Sequence, residues 1–271
     1  MCLGLLEPAQ PRNLAFGRPL LAVICLLGLA SLGVSASGQE AWTPDLTLAV
    51  DAFIPYQGTS GHGDAYVYLG AGNLNIANPV IVVEGFDPNN SRFERQLYEL
   101  LNQQNLIEDL RAEGYDAIIL NFDEGDGYIQ KNAMLLVELI QQIRDQISQS
   151  MDMVVIGDSM GGLVSRYALA YMEDQGLDHR VRTFISFDSP QLGANIPLGI
   201  QEFINFWASR GAEVALDGRA VLYSPAARQM LIYHYGQSGA GPDEERVELL
   251  QDLASLGDFP QLSRNVAVAN G

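Results

Sequence analysis

The sequence is short of the residues that most often advertise chemistry. It has two cysteines, Cys2 and Cys25, and both lie in the first 36 residues. Beyond them the chain has no thiol and no disulfide, so its stability must come from an apolar core even where export would permit bridges. Lys131 is the only lysine, and 33 Asp and Glu against 15 Lys and Arg leave a net charge of −18. A surface this negative repels nucleic acid and anionic membrane faces, which argues against a nucleic-acid partner. Such a charge suits a salty environment, where counter-ions screen self-repulsion. An acidic exported protein with no salt requirement accounts for it equally well. Histidine is scarce, with His62, His179 and His234 alone. There is no internal repeat and no low-complexity block.

One long hydrophobic run is present. Residues 19–33 (PLLAVICLLGLASLG) are almost wholly apolar, Arg12 and Arg18 precede them, and Val34-Ser35-Ala36 offers small residues where a signal peptidase reads. This layout reads as a secretory signal peptide, 1–36, cleaved after Ala36. The protein is then expected to be secreted or periplasmic, with no stable membrane anchor after cleavage. An uncleaved anchor is the competing reading, and the run is short for a full span. A lipoprotein fits less well, because bulky Ile24 precedes Cys25 where a small residue is usual. Residues 37–271 suffice for one domain with a full core.

Along that domain, strand-like and helix-like segments alternate. Residues 46–50 and 65–69 read as strands on either side of a glycine-rich loop, 58–63. Residues 79–83 (PVIVV) form a short β-branched run of the kind buried parallel strands show. Residues 93–114 predict one helix, with Phe93, Leu97, Leu100, Leu101, Ile107 and Leu110 on a stripe and Gly114 as the stop. Strands at 115–122, 153–156 and 181–187 alternate with helices at 133–147 and 161–172. This rhythm implies right-handed crossovers and a mostly parallel α/β sheet with helices on both faces. It breaks after Pro190. Residues 195–258 contain helix-like segments and no convincing strand, as a helical cap insert over the carboxyl edge of the sheet would. A strand resumes at 265–270 (NVAVAN).

Gly157-Asp158-Ser159-Met160-Gly161 fits the pattern G-x-S-x-G. The pattern is weak alone and gains force from its setting, a strand leading in and a helix leading out. A tight strand-to-helix turn forces the serine into a strained backbone conformation and lifts its hydroxyl above the sheet. Glycines two residues away on each side keep strand and helix apart. A hydroxyl is a poor nucleophile until a base takes its proton, and the oxyanion formed on attack needs backbone N–H donors. Met160, at the helix N-terminus, and Phe86, in the turn Glu84-Gly85-Phe86-Asp87-Pro88, are the candidate donors.

Three segments carry a family resemblance. Gly157 to Arg166 (GDSMGGLVSR) resembles the elbow of bacterial lipases and the related inositol-deacylase-like hydrolases. Val83-Glu84-Gly85-Phe86 resembles their oxyanion loop, and Phe187 to Ala194 (FDSPQLGA) the segment after their next strand, usually written S-P-H-x-G. The three occur in the right order within residues 79–198. The resemblance implies an α/β-hydrolase that cleaves carboxylic esters, lipid esters among them, with no cofactor and no metal. Glu84, Asp158 and Gln191 stand where histidine is usual in the family. None of these positions is the catalytic base, so the class is kept while subfamily and substrate stay open.

In that fold the triad runs serine, acid, histidine along the chain. Asp188 ends the 181–187 strand on the edge that carries Ser159 and is one candidate acid, a site after the next strand being the other. Read without chemistry, Asp188 is a turn carboxylate capping the Ser189-Pro190 bend. For the base, His62 lies far upstream and His179 precedes its strand, away from Ser159. His234 falls in the cap and reads as a helix histidine packed among Ile232, Tyr233 and Tyr235. The base and the last strands are therefore expected beyond residue 271, in a longer hydrolase. The acidic loop 123–127 invites a Ca²⁺ reading but lacks the twelve-residue pattern with its final glutamate. Three functions follow: an exported serine esterase or lipase with Ser159 as nucleophile, a non-catalytic binding protein of the same fold, and an enzyme that recruits His234. The apolar cap residues Phe203, Phe206, Trp207, Leu222 and Leu231 suit a lipid-facing lid as well as a plain core.

Overall fold

The computed structural model describes residues 40–236 and 241–270. The signal peptide expected at 1–36, with both cysteines, lies outside the described residues. Seven strands form one sheet: β1 (Leu46–Asp51), β2 (His62–Tyr68), β3 (Pro79–Val83), β4 (Asp116–Phe122), β5 (Met153–Asp158), β6 (Val181–Phe187) and β7 (Arg264–Val268). Their order is β1-β2-β4-β3-β5-β6-β7. The β1–β2 and β2–β4 pairs are antiparallel, and all pairs from β4 to β7 are parallel.

Side-chain alternation along the strands divides the core between two faces. Tyr66 and Tyr68 of β2 and Ala117 and Ile119 of β4 pack with Leu97, Tyr98 and Ile107 on one face. Ala65, Val67, Ile118 and Leu120 point the other way, into the larger cluster beneath α3 (Ile129–Gln146) and α4 (Met160–Asp174). All of β3 and β4 is buried, which is why β3 (PVIVV) and the centre of β4 (AIIL) are apolar throughout. At the start of β4 the buried carboxylate of Asp116 accepts hydrogen bonds from the backbone N–H groups of Gly70, Ala77 and Asn78 and from the Asn73 side chain. One side chain thus organises the whole loop into β3.

The helix expected at 93–114 is instead two. α1 (Glu94–Leu101) and α2 (Leu106–Ala112) flank a 3₁₀ turn at Gln103–Asn105, where Gln104 and Asn105 have φ of 64° and 63°. Asn102 explains the break: its side-chain oxygen accepts from the N–H groups of Ile107 and Glu108, starting a new helix in competition with the old one. The helix expected at 133–147 starts earlier, at Ile129, because the buried Gln229 side chain accepts the Ile129 N–H at 2.9 Å.

The described residues between 195 and 258 hold four helices, and they divide in two. α5 (Leu198–Ala208) and α6 (Glu213–Leu222) pack on each other and leave Phe203, Phe206 and Trp207 exposed. α7 (Pro225–Met230) and α8 (Glu244–Ser255) belong to the body of the domain. Ala226, Met230, Leu249 and Leu253 join the main core, and a buried chain of side chains runs from Gln229 to Gln130 (2.8 Å) to Asp252 (3.1 Å). α8 therefore works as the crossover helix that a parallel β6–β7 pair requires. Leu222 and Leu231 are buried, so the five apolar residues considered for a lid split between surface and core.

Candidate active site

The chain leaves β3 toward β4 on one side and leaves β5 toward β6 on the other, so the two connections diverge above the carboxyl edge. Open α/β sheets bind their ligands at such a switch point. The turn after β3 and the turn after β5 meet there. Ser159 sits between β5 and α4 with φ 51° and ψ −118°, a strained conformation for a residue with a side chain. Its side chain makes no capping bond to the helix. A Cβ on Gly157 would collide with the backbone of Gly162, and one on Gly161 would meet the carbonyls of Val83 and Glu84. The glycines at these positions are thus required by contact, as the motif predicts.

The candidate oxyanion turn is equally close. A Cβ on Gly85 would stand 3.1 Å from the Ser159 Cβ and 3.3 Å from the Asp158 carbonyl. The Gly85–Phe86 turn therefore runs directly beside the serine, and no backbone acceptor among the described residues pairs with either N–H. Met160 supplies an N–H from the first turn of α4, where helical donors lack an internal partner. Phe86 and Met160 are thus both brought to the serine. Arg92, which sequence reasoning missed, donates to the Phe86 carbonyl at 2.6 Å and pairs with Asp87 at 3.4 Å.

Asp188 follows β6 just as Ser159 follows β5. Asp158 and Phe187 are paired in register, and Ser159 N–H donates to the Phe187 carbonyl at 2.9 Å. Asp188 is exposed, has φ 45°, and accepts from Asn270 through its backbone N–H at 3.3 Å and its side chain at 3.5 Å. Burial pushes the Asp158 carboxyl upward, the nearby charge of Asp188 adds to this, and Arg92 opposes it.

The histidines are engaged elsewhere. His62 pairs with Asp51 at 2.6 Å across β1 and β2. His179, buried before β6, accepts the Val181 N–H and contacts Glu173 at 3.2 Å, at the amino edge of the sheet as expected. His234 lies in no helix, contrary to the expectation, because Met230 ends α7. Its ring is buried between Tyr223 and Tyr235, with Nε2 on the Leu222 carbonyl at 3.1 Å. Gln191 is a brace: it accepts from Arg166 at 3.2 Å and donates to Ser186 at 2.9 Å. Arg166 in turn holds Asp258 and stacks on Phe259 at 3.8 Å. Residues 123–127 form a turn whose Glu124 pairs with Lys131, and among the described residues no cluster of His, Cys, Asp and Glu could hold a metal.

A family model described as "PGAP1-like alpha/beta domain" matches residues 120–209, from β4 through the elbow into α5. The chain has the α/β-hydrolase fold. The strand order, the elbow and this match agree with the resemblance carried by the sequence motifs. No curated protein matches the chain. Among solved structures, the mature form of a lipase from Bacillus licheniformis is similar with a TM-score of 0.46 and 16% identity, over 75% of this chain and 70% of that one. An esterase from Butyrivibrio proteoclasticus gives 0.40 and 15% over 83% and 88%. A lid-less α/β serine hydrolase from Xanthomonas campestris gives 0.41 and 13% over 84% and 85%.

Proposed function

We propose that this α/β-hydrolase is an exported serine esterase that cleaves carboxylic esters, lipid esters included. The observation that carries the reading is the strained Ser159, held at φ 51° beside the Gly85–Phe86 turn. In this reading the Ser159 hydroxyl attacks the acyl carbon while a base takes its proton. The Met160 and Phe86 N–H groups receive the oxyanion, and the alcohol leaves with the proton. Water then releases the acid from the acyl-enzyme by the same route. Asp188 is assigned as the acid that orients the base. Because His62, His179 and His234 are engaged elsewhere, none of the three is assigned as the base. Export rests on the leader at 1–36, and among the described residues no helix is long and apolar enough to cross a membrane.

The test is labelling of the intact protein by a fluorophosphonate together with hydrolysis of short and long acyl esters. Loss of both in Ser159→Ala supports the reading, and undiminished turnover in that variant defeats it. The engaged histidines also favour a second reading, a non-catalytic binding protein of the same fold. It predicts no labelling of Ser159 and retention of an ester or lipid ligand without turnover. Recruitment of His234 would require withdrawing a buried ring from between two tyrosines, so His234→Ala is expected to leave labelling intact.

A further inference from the structure

The turn that carries Phe86 begins with a carboxyl group in an unusual place. Glu84 is 1% exposed, and its side chain folds back under the turn onto β4. Its Oε1 accepts the Phe122 N–H at 2.5 Å. Asn121, with its amide oriented to satisfy its neighbours, donates to the same oxygen at 3.2 Å, to Asn90 Oδ1 at 3.3 Å and to the Arg92 carbonyl at 3.2 Å. The other end of the turn is tied as well. Asp87 accepts from Ser91 Oγ at 2.6 Å and from the Arg92 N–H at 2.8 Å, its own N–H donates to the Gly125 carbonyl, and Arg92 grips the Phe86 carbonyl. Between these ties only Gly85 and Phe86 are left facing the serine.

We propose that Glu84 is a positioning residue for ester hydrolysis: by fastening the start of the β3–α1 turn to Asn121 and Phe122 of β4, it sets the Gly85–Phe86 amides opposite Ser159. The proposal rests on the esterase reading of Ser159. An oxyanion donor must be in place before the reaction to lower its barrier, because a donor that has to reorganise returns part of what it stabilises. A buried carboxyl with fixed partners provides that rigidity.

The same geometry makes the clamp sensitive to pH. The Glu84 carboxyl is pushed up to about 8: burial is the main cause and the charge of Asp87 adds to it, while the Phe122 hydrogen bond and Arg92 pull it back. From β2, Tyr66 faces it as a neutral phenol that Glu84 itself helps keep protonated. Below that value the clamp is neutral. Above it, a buried charge forms beside Asp87, at the base of the oxyanion turn. Glutamine keeps the carbonyl acceptor for Phe122 and removes the titration.

The experiment measures kcat and KM from neutral to alkaline pH for the intact protein, Ser159→Ala, Glu84→Ala and Glu84→Gln. Glu84→Ala should lower kcat roughly tenfold to a hundredfold, with KM within about threefold, a smaller loss than the roughly hundredfold to thousandfold of removing an oxyanion donor outright. Glu84→Gln should restore most of that kcat and lack the fall in rate expected of the wild type as pH passes about 8. An unaltered kcat in Glu84→Ala, or the same alkaline fall in Glu84→Gln, overturns the proposal. If Glu84→Ala does not fold, the alkaline limb of Glu84→Gln decides alone. Full activity in Ser159→Ala removes the esterase reading and this inference with it. A Ser159-dependent rate that ignores Glu84 overturns the inference only.

Discussion

The two flanks of Ser159 are built to different standards. On the β3–β4 side every strand residue is buried, and the turn after β3 is tied down by Glu84, Asn121, Asp87 and Arg92. On the β6–β7 side β7 is exposed at four of its five positions, and the Asp188 carboxylate is held by two long bonds from Asn270, while the Asp188 backbone N–H donates to the Val268 carbonyl at 2.7 Å. Buried hydrogen bonds in a low dielectric are strong and leave little freedom, whereas exposed ones compete with water. The side proposed to receive the oxyanion is therefore preorganised. The side proposed to orient the base is more open to solvent.

Substitutions on each flank can break or sharpen this contrast. The largest effect is expected at the centre, where Ser159→Ala should cut ester hydrolysis at least about ten-thousand-fold and leave the unfolding midpoint unchanged. Asp188→Asn comes next. As the proposed acid it should lower kcat roughly a thousandfold to ten-thousandfold with little loss of stability. An unaffected rate would mean that the loose flank carries no acid. Ile81→Ala, in the middle of β3, removes a fully buried side chain and should cost about 2–5 kcal/mol in denaturant unfolding. The smallest effect belongs to Val268→Ala on β7, expected within about 0.5 kcal/mol in the same assay. Similar costs at Ile81 and Val268 would erase the difference between the flanks.

Stability should also report on the tight flank. Glu84 is raised from 4.5 to about 8 in the folded protein, so its contribution is full below 4.5 and is lost as pH rises through about 8. Denaturation midpoints of Glu84→Gln should lack that part of the decline, a difference read directly against wild type.

Much of this is legible in the sequence. The strands at 79–83 and 153–156 stood out because buried parallel strands are β-branched and uninterrupted. The elbow stood out because its glycines occupy fixed places. Helix limits were less legible. Asn102 breaks 93–114 with a side-chain oxygen that reaches forward to Ile107 and Glu108, and Gln229 draws the start of α3 back to Ile129 from a hundred residues away. Nothing local to either segment announces those bonds. Glu84 and Gln191 read as departures from a family pattern. Only packing shows that one is buried under the turn after β3 and the other braces Arg166 against Ser186.

By itself, then, the sequence determined the alternating sheet and helices, the elbow around Ser159, and the shortage of histidine. Periodicity, glycine spacing and composition are properties of the chain alone. The tertiary structure decided which polar residues near the serine are anchored and which are exposed. It also decided that α7 and α8 belong to the core while α5 and α6 turn aromatic side chains to solvent. Burial and hydrogen-bond partners depend on residues distant in the chain, and they become definite only when the sheet brings those residues together.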